Sequence, residues 1–435
     1  MLYHPGSSVA RNVVIVGGGL AGLAASIYLA RGGRTVTVFE KRQYLGGRAI
    51  TQLRQGYRFN LGAHAFYRSG AGAKVCRELG VPVPGVVPKP RALALLQGDE
   101  RMLPTGVLSL LATSLLSLGG KAQLIRALLR IRRIDRHPPG DVTVREWVDA
   151  NVSDARARRV LEALIRLATY SDRAETAGAA LALAQMKIAL RGALYVHEGW
   201  QRIVDSLRNN AVTSGVNFVS SSRIVGVDID GARVRAVRLG GLELDADRMD
   251  TMSIAYPETT PEDVEGAALP AENVILAVDP ATASELAGQT WSAEPVTAAC
   301  LDVALRKLPH PKRTFALGID EPLYYAVHST WAQLAPKGGA LIHTVKYGGG
   351  EERELEALLD RMQPGWRDYV VHRRYMPSMT VSNALVTPNA PRPPVTTGVG
   401  GLYLAGDWVG DEGLLSDAAF ASARAAAKAI LAIGQ

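Results

Sequence analysis

A chain of 435 residues, with 47% hydrophobic and 21% charged side chains, holds enough apolar material for two or three structural units and is not disordered. Its two cysteines, Cys76 and Cys300, stand far apart with no partner spacing, which excludes a disulfide framework, a cysteine zinc site and a dithiol redox motif. The formal charge of +8 comes without a zinc finger, an RRM signature or a DNA-reading helix, so no nucleic-acid partner is expected and no metal is assigned.

Residues 12–40 read as one βαβ unit. Residues 13–16 are all apolar, as in a strand buried on both faces. Gly17-Gly18-Gly19-Leu20-Ala21-Gly22 then matches G-x-G-x-x-G between a predicted strand and a predicted helix, the context that gives this weak pattern its meaning. Gly17 allows the tight turn, Gly19 the approach of a pyrophosphate, and Gly22 close helix–strand packing. The helix N-terminus, at Leu20 and Ala21, offers free N–H groups to an anion. Gly32 and Gly33 stop the helix, and residues 35–40 form a second strand. Glu40 closes it at the position of a ribose-binding acid, which disfavours a 2′-phosphate.

Residues 101–136 open with an apolar helical pattern, with Leu108, Leu111, Leu115 and Leu118 at helical spacing up to Gly119-Gly120. A basic amphipathic helix follows, carrying Leu124, Leu128 and Ile131 on one face and Arg126, Arg130 and Arg133 on another. Such a pair suits peripheral contact with a membrane surface. Residues 154–191 are again helical. Residues 224–229 and 234–239 form a hairpin around Asp230-Gly231, both of which accept positive φ. Residues 242–272 are acidic and read as an exposed connection; residues 274–278 form a short strand. Residues 296–347 carry several strands of a second sheet, and the chain ends in strand, loop and helix over residues 402–430. There is no apolar run of about 18 residues and no secretory h-region, so a cytoplasmic protein is expected.

Lys41, Arg42 and then Leu45-Gly46-Gly47-Arg48 follow Glu40. Here the chain resembles the superfamily of FAD-dependent amine oxidases, phytoene desaturases and protoporphyrinogen oxidases. A second similar segment is Asn60-Leu61-Gly62-Ala63-His64, although many members carry Asp where this chain has Asn60. A third is Gly401-Leu402-Tyr403-Leu404-Ala405-Gly406-Asp407-Trp408, followed by Gly413, Leu414 and a helix of small residues. Gly199-Trp200-Gln201 resembles the segment before the adenine-side strand. The likeness is specific over residues 13–64 and 400–430 and otherwise one of order.

The resemblance implies FAD, with Lys41, Gly47 and Arg48 near the pyrophosphate or flavin, Gly62 and Ala63 beside the flavin, and Ile224 or Val225 beside the adenine. It places Asp407 and Gly406 at the ribityl or pyrophosphate region, and aims the helix after Gly413 and Leu414 at the flavin N1–C2=O edge. A positive helix end there stabilises the charge of the reduced ring. The implied fold is α/β: a discontinuous Rossmann-like FAD domain (1–75, 195–290 and 395–435), a mainly helical region (76–194) and a mixed α+β substrate domain completed by a second sheet (291–394).

The implied activity is dehydrogenation of a C–C or C–N bond in a hydrophobic small molecule, in the manner of phytoene desaturase, with oxygen or a quinone as acceptor. Many amine oxidases place a lysine near flavin N5, and the comparable stretch here, Thr297-Ala298-Ala299-Cys300, has none. Amine oxidation therefore stands second, beside a flavin-dependent isomerase or mutase. The GDP-dissociation inhibitors share the fold without catalysis, but the intact glycines, Glu40, Arg48 and Asp407 argue against that reading. His64, His328, His343 and Lys346 are the candidates for proton transfer. Tyr324, Tyr325, Tyr347, Tyr375 and Trp408 are candidates for an aromatic slot.

Overall fold

The computed structural model describes residues 12–104, 106–135, 140–240 and 266–433. The acidic connection read over residues 242–272 lies mostly outside them.

The first strand, Asn12–Val16, lies at the centre of a five-stranded parallel sheet. Thr35–Phe39 and Asn217–Val219 extend it on one side, Asn273–Leu276 and Leu402–Leu404 on the other. Its central strands are apolar because both faces are covered. On one face the helices Leu20–Arg31, Gln201–Thr213 and Leu415–Ala432 share a core with Val13 and Ile15. On the other face Val14 and Val16 pack against a three-stranded antiparallel sheet that includes the hairpin. The two ends of the chain therefore meet in one sheet.

The hairpin strands run Ile224–Asp230 and Arg233–Leu239. Asp230 pairs with Arg233, so the turn residues are Gly231 and Ala232, one position later than the sequence suggests. Only Gly231 needs positive φ, at 60°.

The second sheet has seven strands, and Val296–Leu305 pairs with both Ala340–Tyr347 and Val370–Ser382. Its far edge is made by Leu93–Leu96 and Asp99–Met102, two strands inside the region read as mainly helical. The apolar helix expected after residue 101 is shorter than its leucine spacing suggests. It spans Val107–Ala112 and stops at Thr113, whose hydroxyl donates to the Met102 carbonyl and accepts from Leu115 N–H. A local side-chain bond here competes with the helical ladder. The basic helix forms at Leu118–Arg132, capped by the Ser117 hydroxyl. No helix among the described residues is long and apolar enough to cross a membrane.

Candidate active site

The glycine loop is shaped by contacts a side chain would break. A Cβ on Gly22 would lie 1.9 Å from the Gly17 carbonyl oxygen, and one on Gly17, where φ is 105°, would lie 2.5 Å from that of Ala277. Gly19 is different. A Cβ there would meet nothing within 4 Å, and no side chain caps the helix that Gly19 opens. Its N–H groups thus face open space, the arrangement that receives a phosphate. Gly47, with φ of 56°, closes in from the following loop, its Cβ position 3.5 Å from Gly19 Cα.

Glu40 is buried at the end of its strand. One carboxylate oxygen accepts Gly18 N–H at 2.8 Å and the other accepts Arg42 N–H at 3.0 Å. It therefore shapes the glycine loop, and each oxygen keeps a lone pair for a ribose hydroxyl. Lys41 is exposed. The Ser222 N–H donates to the Glu40 carbonyl, which brings the start of the hairpin to this end of the cradle. Ile224 is buried in the core there, whereas Val225 is 43% exposed beside it.

Arg48 reaches the other end of the chain. Its guanidinium pairs with Asp407 at 2.7 Å and donates to the Val381 carbonyl. Asp407 is buried and also accepts the backbone and side-chain N–H groups of Asn383. Arg392 donates to the carbonyls of Asp407 and Gly413, holding the loop that carries Gly406. The last helix starts after Leu414, whose N–H donates to Gln185, and has no side-chain cap. In its first turn Asp417 is buried and accepts Gly72 N–H at 2.7 Å. Burial pushes its carboxyl up to about 6, against that hydrogen bond.

Asn60 has a different use from the polar contact expected of it. Its Oδ1 accepts from the Thr51 hydroxyl and from Trp200 N–H, tying three segments together. A Cβ on Gly62, where φ is 84°, would lie 2.5 Å from Met379 Sδ and 3.6 Å from Cys300 Sγ. Gly62 and Ala63 therefore join the glycine-loop side of the molecule to the second sheet.

Strand alternation decides which side chains of that sheet face the cradle. Cys300, Tyr324, Val345 and Tyr347 pack with Ala63 and the helical block. Ala299, Tyr325 and Ile342 point the other way, under the helix Glu352–Met362. Lys346 shares that outer side and pairs with Glu354. It is thus removed from the site. Tyr325 and Tyr375 donate to the carbonyls of Arg313 and Gly350, and Trp408 sits in the core behind the five-stranded sheet. Of the five aromatic candidates, only Tyr324 and Tyr347 reach the inner face, where Tyr170 and Tyr195 join them.

The three histidine candidates come together on that face. His328 stacks on Tyr195 at 3.8 Å and has its ring 4.6 Å from that of His343. His64 bonds the Gly62 carbonyl and packs edge-on against Trp200. Burial pushes His64 down to about 4 and His328 well below the usual imidazole range, so both are neutral. His343 Nδ1 lies 2.5 Å from Asp302 Oδ1, and Arg374 lies 2.5 Å from Asp302 Oδ2. Burial opposes ionisation of Asp302, but His343 and then Arg374 outweigh it and hold the carboxyl at about 2.

Asp302 is the residue that sequence reasoning passed over; its signal is a single charge in the otherwise neutral strand Val296–Leu305. By type, Cys300, Asp302 and His343 could ligate a metal. The guanidinium on Asp302 Oδ2 stands against a cation there. His328 Nδ1, His343 Nε2, Tyr347 OH and Trp200 Nε1 are buried and find no hydrogen-bond partner among the described residues. Such groups call for a ligand or water. With the open Gly19 cradle and two uncapped helix ends, they make the residues fit an FAD molecule.

Comparison with known proteins agrees. Residues 20–431 match the family model for flavin-containing amine oxidoreductases. The chain is 32% identical over 167 residues to coproporphyrinogen III oxidase of Propionibacterium freudenreichii, covering 35% of this chain and 31% of that protein. It is 45% identical over 56 residues to a 1-hydroxycarotenoid 3,4-desaturase of Flavobacterium, covering 13% of this chain and 12% of that one. These matches thus span about a third or less of the relatives' length. An oxidoreductase from Methanosarcina mazei shares the fold at a TM-score of 0.74 and 17% identity, over 96% of this chain and 100% of that one. The open phosphate cradle, the Arg48–Asp407 closure and the match across nearly the whole sequence lead to one conclusion: the chain belongs to the flavin-containing amine oxidoreductases and is an FAD enzyme.

Proposed function

We propose that the enzyme dehydrogenates a C–C or C–N bond of a hydrophobic small molecule, in the manner of a phytoene desaturase. When bound, the flavin supplies the hydride acceptor, N5. The chain's own residues shape the site and handle the proton. The observation that carries this reading is an open, largely apolar cavity of ≈ 100 Å³ between the helical block and the start of the last helix. Ile165, Leu181, Val296, Leu385 and Leu415 give it an apolar lining. Arg166 stands at its wall and lies 5.7 Å from the ring of Tyr347, which connects the cavity to the inner face of the sheet.

A hydrophobic substrate is best delivered from a lipid surface. The helix Leu118–Arg132 is suited to such delivery, because Leu118, Ile125 and Leu129 are exposed at helical spacing, beside the exposed Arg126 and Arg130. Oxygen or a quinone completes the cycle as acceptor. Amine oxidation is the second reading, favoured by the tyrosines of the inner face, whose rings suit a cation.

The test is anaerobic mixing of the yellow protein with an isoprenoid, a porphyrinogen and a primary amine, following the visible flavin band. Bleaching by the isoprenoid supports the first reading, and bleaching by the amine alone selects the second. A protein that no probe bleaches, yet which interconverts isomers without an acceptor, is a mutase.

A further inference from the structure

We infer that His343 accepts, at Nε2, the proton that the substrate gives up as its hydride departs, with Asp302 and Arg374 as positioning residues. The inference deepens the dehydrogenase reading and rests on it.

Asp302 stands directly opposite His343 on one neighbouring strand and opposite Arg374 on the other. Directly opposed side chains on one face of a sheet are in contact range. The order Arg374–Asp302–His343 is therefore set by three adjacent strands rather than by loops. Arg374 continues the row, donating to Gln52 Oε1 at 3.1 Å and to the Asn60 carbonyl, in the segment that leads to Gly62 and Ala63. The row thus runs from the cofactor side of the molecule into the sheet.

The carboxylate settles the tautomer. With Nδ1–H donated to Asp302, Nε2 is the only ring nitrogen of His343 left to exchange a proton. That nitrogen is buried and has no partner among the described residues. A buried acceptor left open is costly unless something occupies it in the working state. His328, its nearest aromatic neighbour, is neutral and engages Tyr324 through Nε2, so it neither repels a proton on His343 nor competes for it. His64 is neutral too. Cys300 donates its S–H to Asp302, and Tyr195 carries a phenol held up to about 12. Asp302 is thus the one ionised acid around the ring, balanced by Arg374.

The step balances. A substrate H–C–X–H, with X carbon or nitrogen, loses hydride from carbon to the flavin, and the C–H electron pair goes with it. The X–H electron pair becomes the second bond of C=X, and the proton passes to His343 Nε2. The imidazolium so formed is stabilised through Nδ1 by Asp302, as in other carboxylate–histidine pairs.

The test needs no substrate. Reduction of a nearby flavin adds negative charge, which an imidazole within reach answers by taking up a proton. The midpoint potential of the holoprotein is measured against pH for the wild type, His343→Gln and Asp302→Asn. In the wild type the dependence steepens by one proton per two electrons over the pH window in which the reduced protein holds a proton that the oxidised protein lacks. His343→Gln loses this, and Asp302→Asn moves it to lower pH. The same slope in all three proteins overturns the inference. Histidine ¹⁵N spectra of the holoprotein provide a second readout, since the Nδ1–H tautomer of His343 disappears in Asp302→Asn, a variant that keeps the side-chain shape. Any probe that bleaches the wild type should bleach His343→Gln about 10²–10⁴-fold more slowly. If no probe bleaches the wild type, the dehydrogenase reading fails, while the potentials still decide the role of the histidine.

Discussion

Arg48 and Asp407 lie at opposite ends of the sequence and form an ion pair of 2.7 Å between a half-exposed guanidinium and a buried carboxylate. The pair ties the loop after the second strand to the loop before the last helix. Its two halves are unequal. Arg48 is 44% exposed, and its loss is softened by solvent. Arg48→Met should cost about 1 kcal/mol or less. Asp407→Ala strands both Asn383 donors and should cost about 1–3 kcal/mol. Both variants should shed FAD on desalting. Thermal melts with and without added FAD measure each effect.

Gly19 and Gly22 separate cofactor binding from folding. Gly22→Ala forces a methyl against the Gly17 carbonyl and should destabilise the chain by about 1–3 kcal/mol. Gly19→Ala meets open space in the protein itself and should leave the apoprotein as stable as the wild type. Its methyl takes room meant for the pyrophosphate, so FAD affinity should fall at least about tenfold, or about 1.4 kcal/mol. Titration followed by flavin fluorescence decides, and equal affinity for Gly19→Ala and wild type would falsify the placement of the cradle.

Asp417 makes stability depend on pH. Its native carboxyl, at about 6, lies above the ordinary aspartate value, so the folded chain holds that proton more tightly than the unfolded one. The contribution is complete below the ordinary value and is lost as pH rises through 6. Asp417→Asn keeps an acceptor for Gly72 N–H and should recover about 2–3 kcal/mol at pH 8, with little gain at pH 4. Denaturant melts at the two pH values measure the difference.

His64 acts in the opposite sense. Its native value, about 4, lies below that of a free imidazole, so stability falls as the solution is acidified from about 6.5 toward 4. His64→Asn should make that acid limb shallower, with buried His328 keeping the remainder, and equilibrium unfolding across the range reads the difference.

Lys346 serves as the control for the inner-face histidines. Paired with Glu354 on the far side of the sheet, it should be replaceable by Met with a cost of about 0.2–1 kcal/mol and no change in flavin spectrum or turnover. A large loss of turnover would return the lysine to the site.

The sequence alone determined the βαβ start, the glycine loop, Glu40, the Gly406-Asp407 turn and the last helix. These depend on local rules: backbone space at glycine, apolar strands between covered faces, and helix ends that seek anions. It also named the three inner-face histidines, His64, His328 and His343, because such residues are rare and chemically distinct. Tertiary structure decided the rest. Whether His343 or Lys346 faces the cradle depends on strand parity, and a difference of three positions puts them on opposite sides of one strand. Asp302 gained its partners from register with two other strands, one of them more than 70 residues away, which no local pattern encodes. The break at Thr113 and the one-residue shift of the hairpin turn were set by a side-chain bond and by pairing rather than by composition. Arg48 and Asp407 could each be marked from sequence, but only the parallel sheet that joins the chain ends brings them within 2.7 Å, because contact between distant segments is a property of packing.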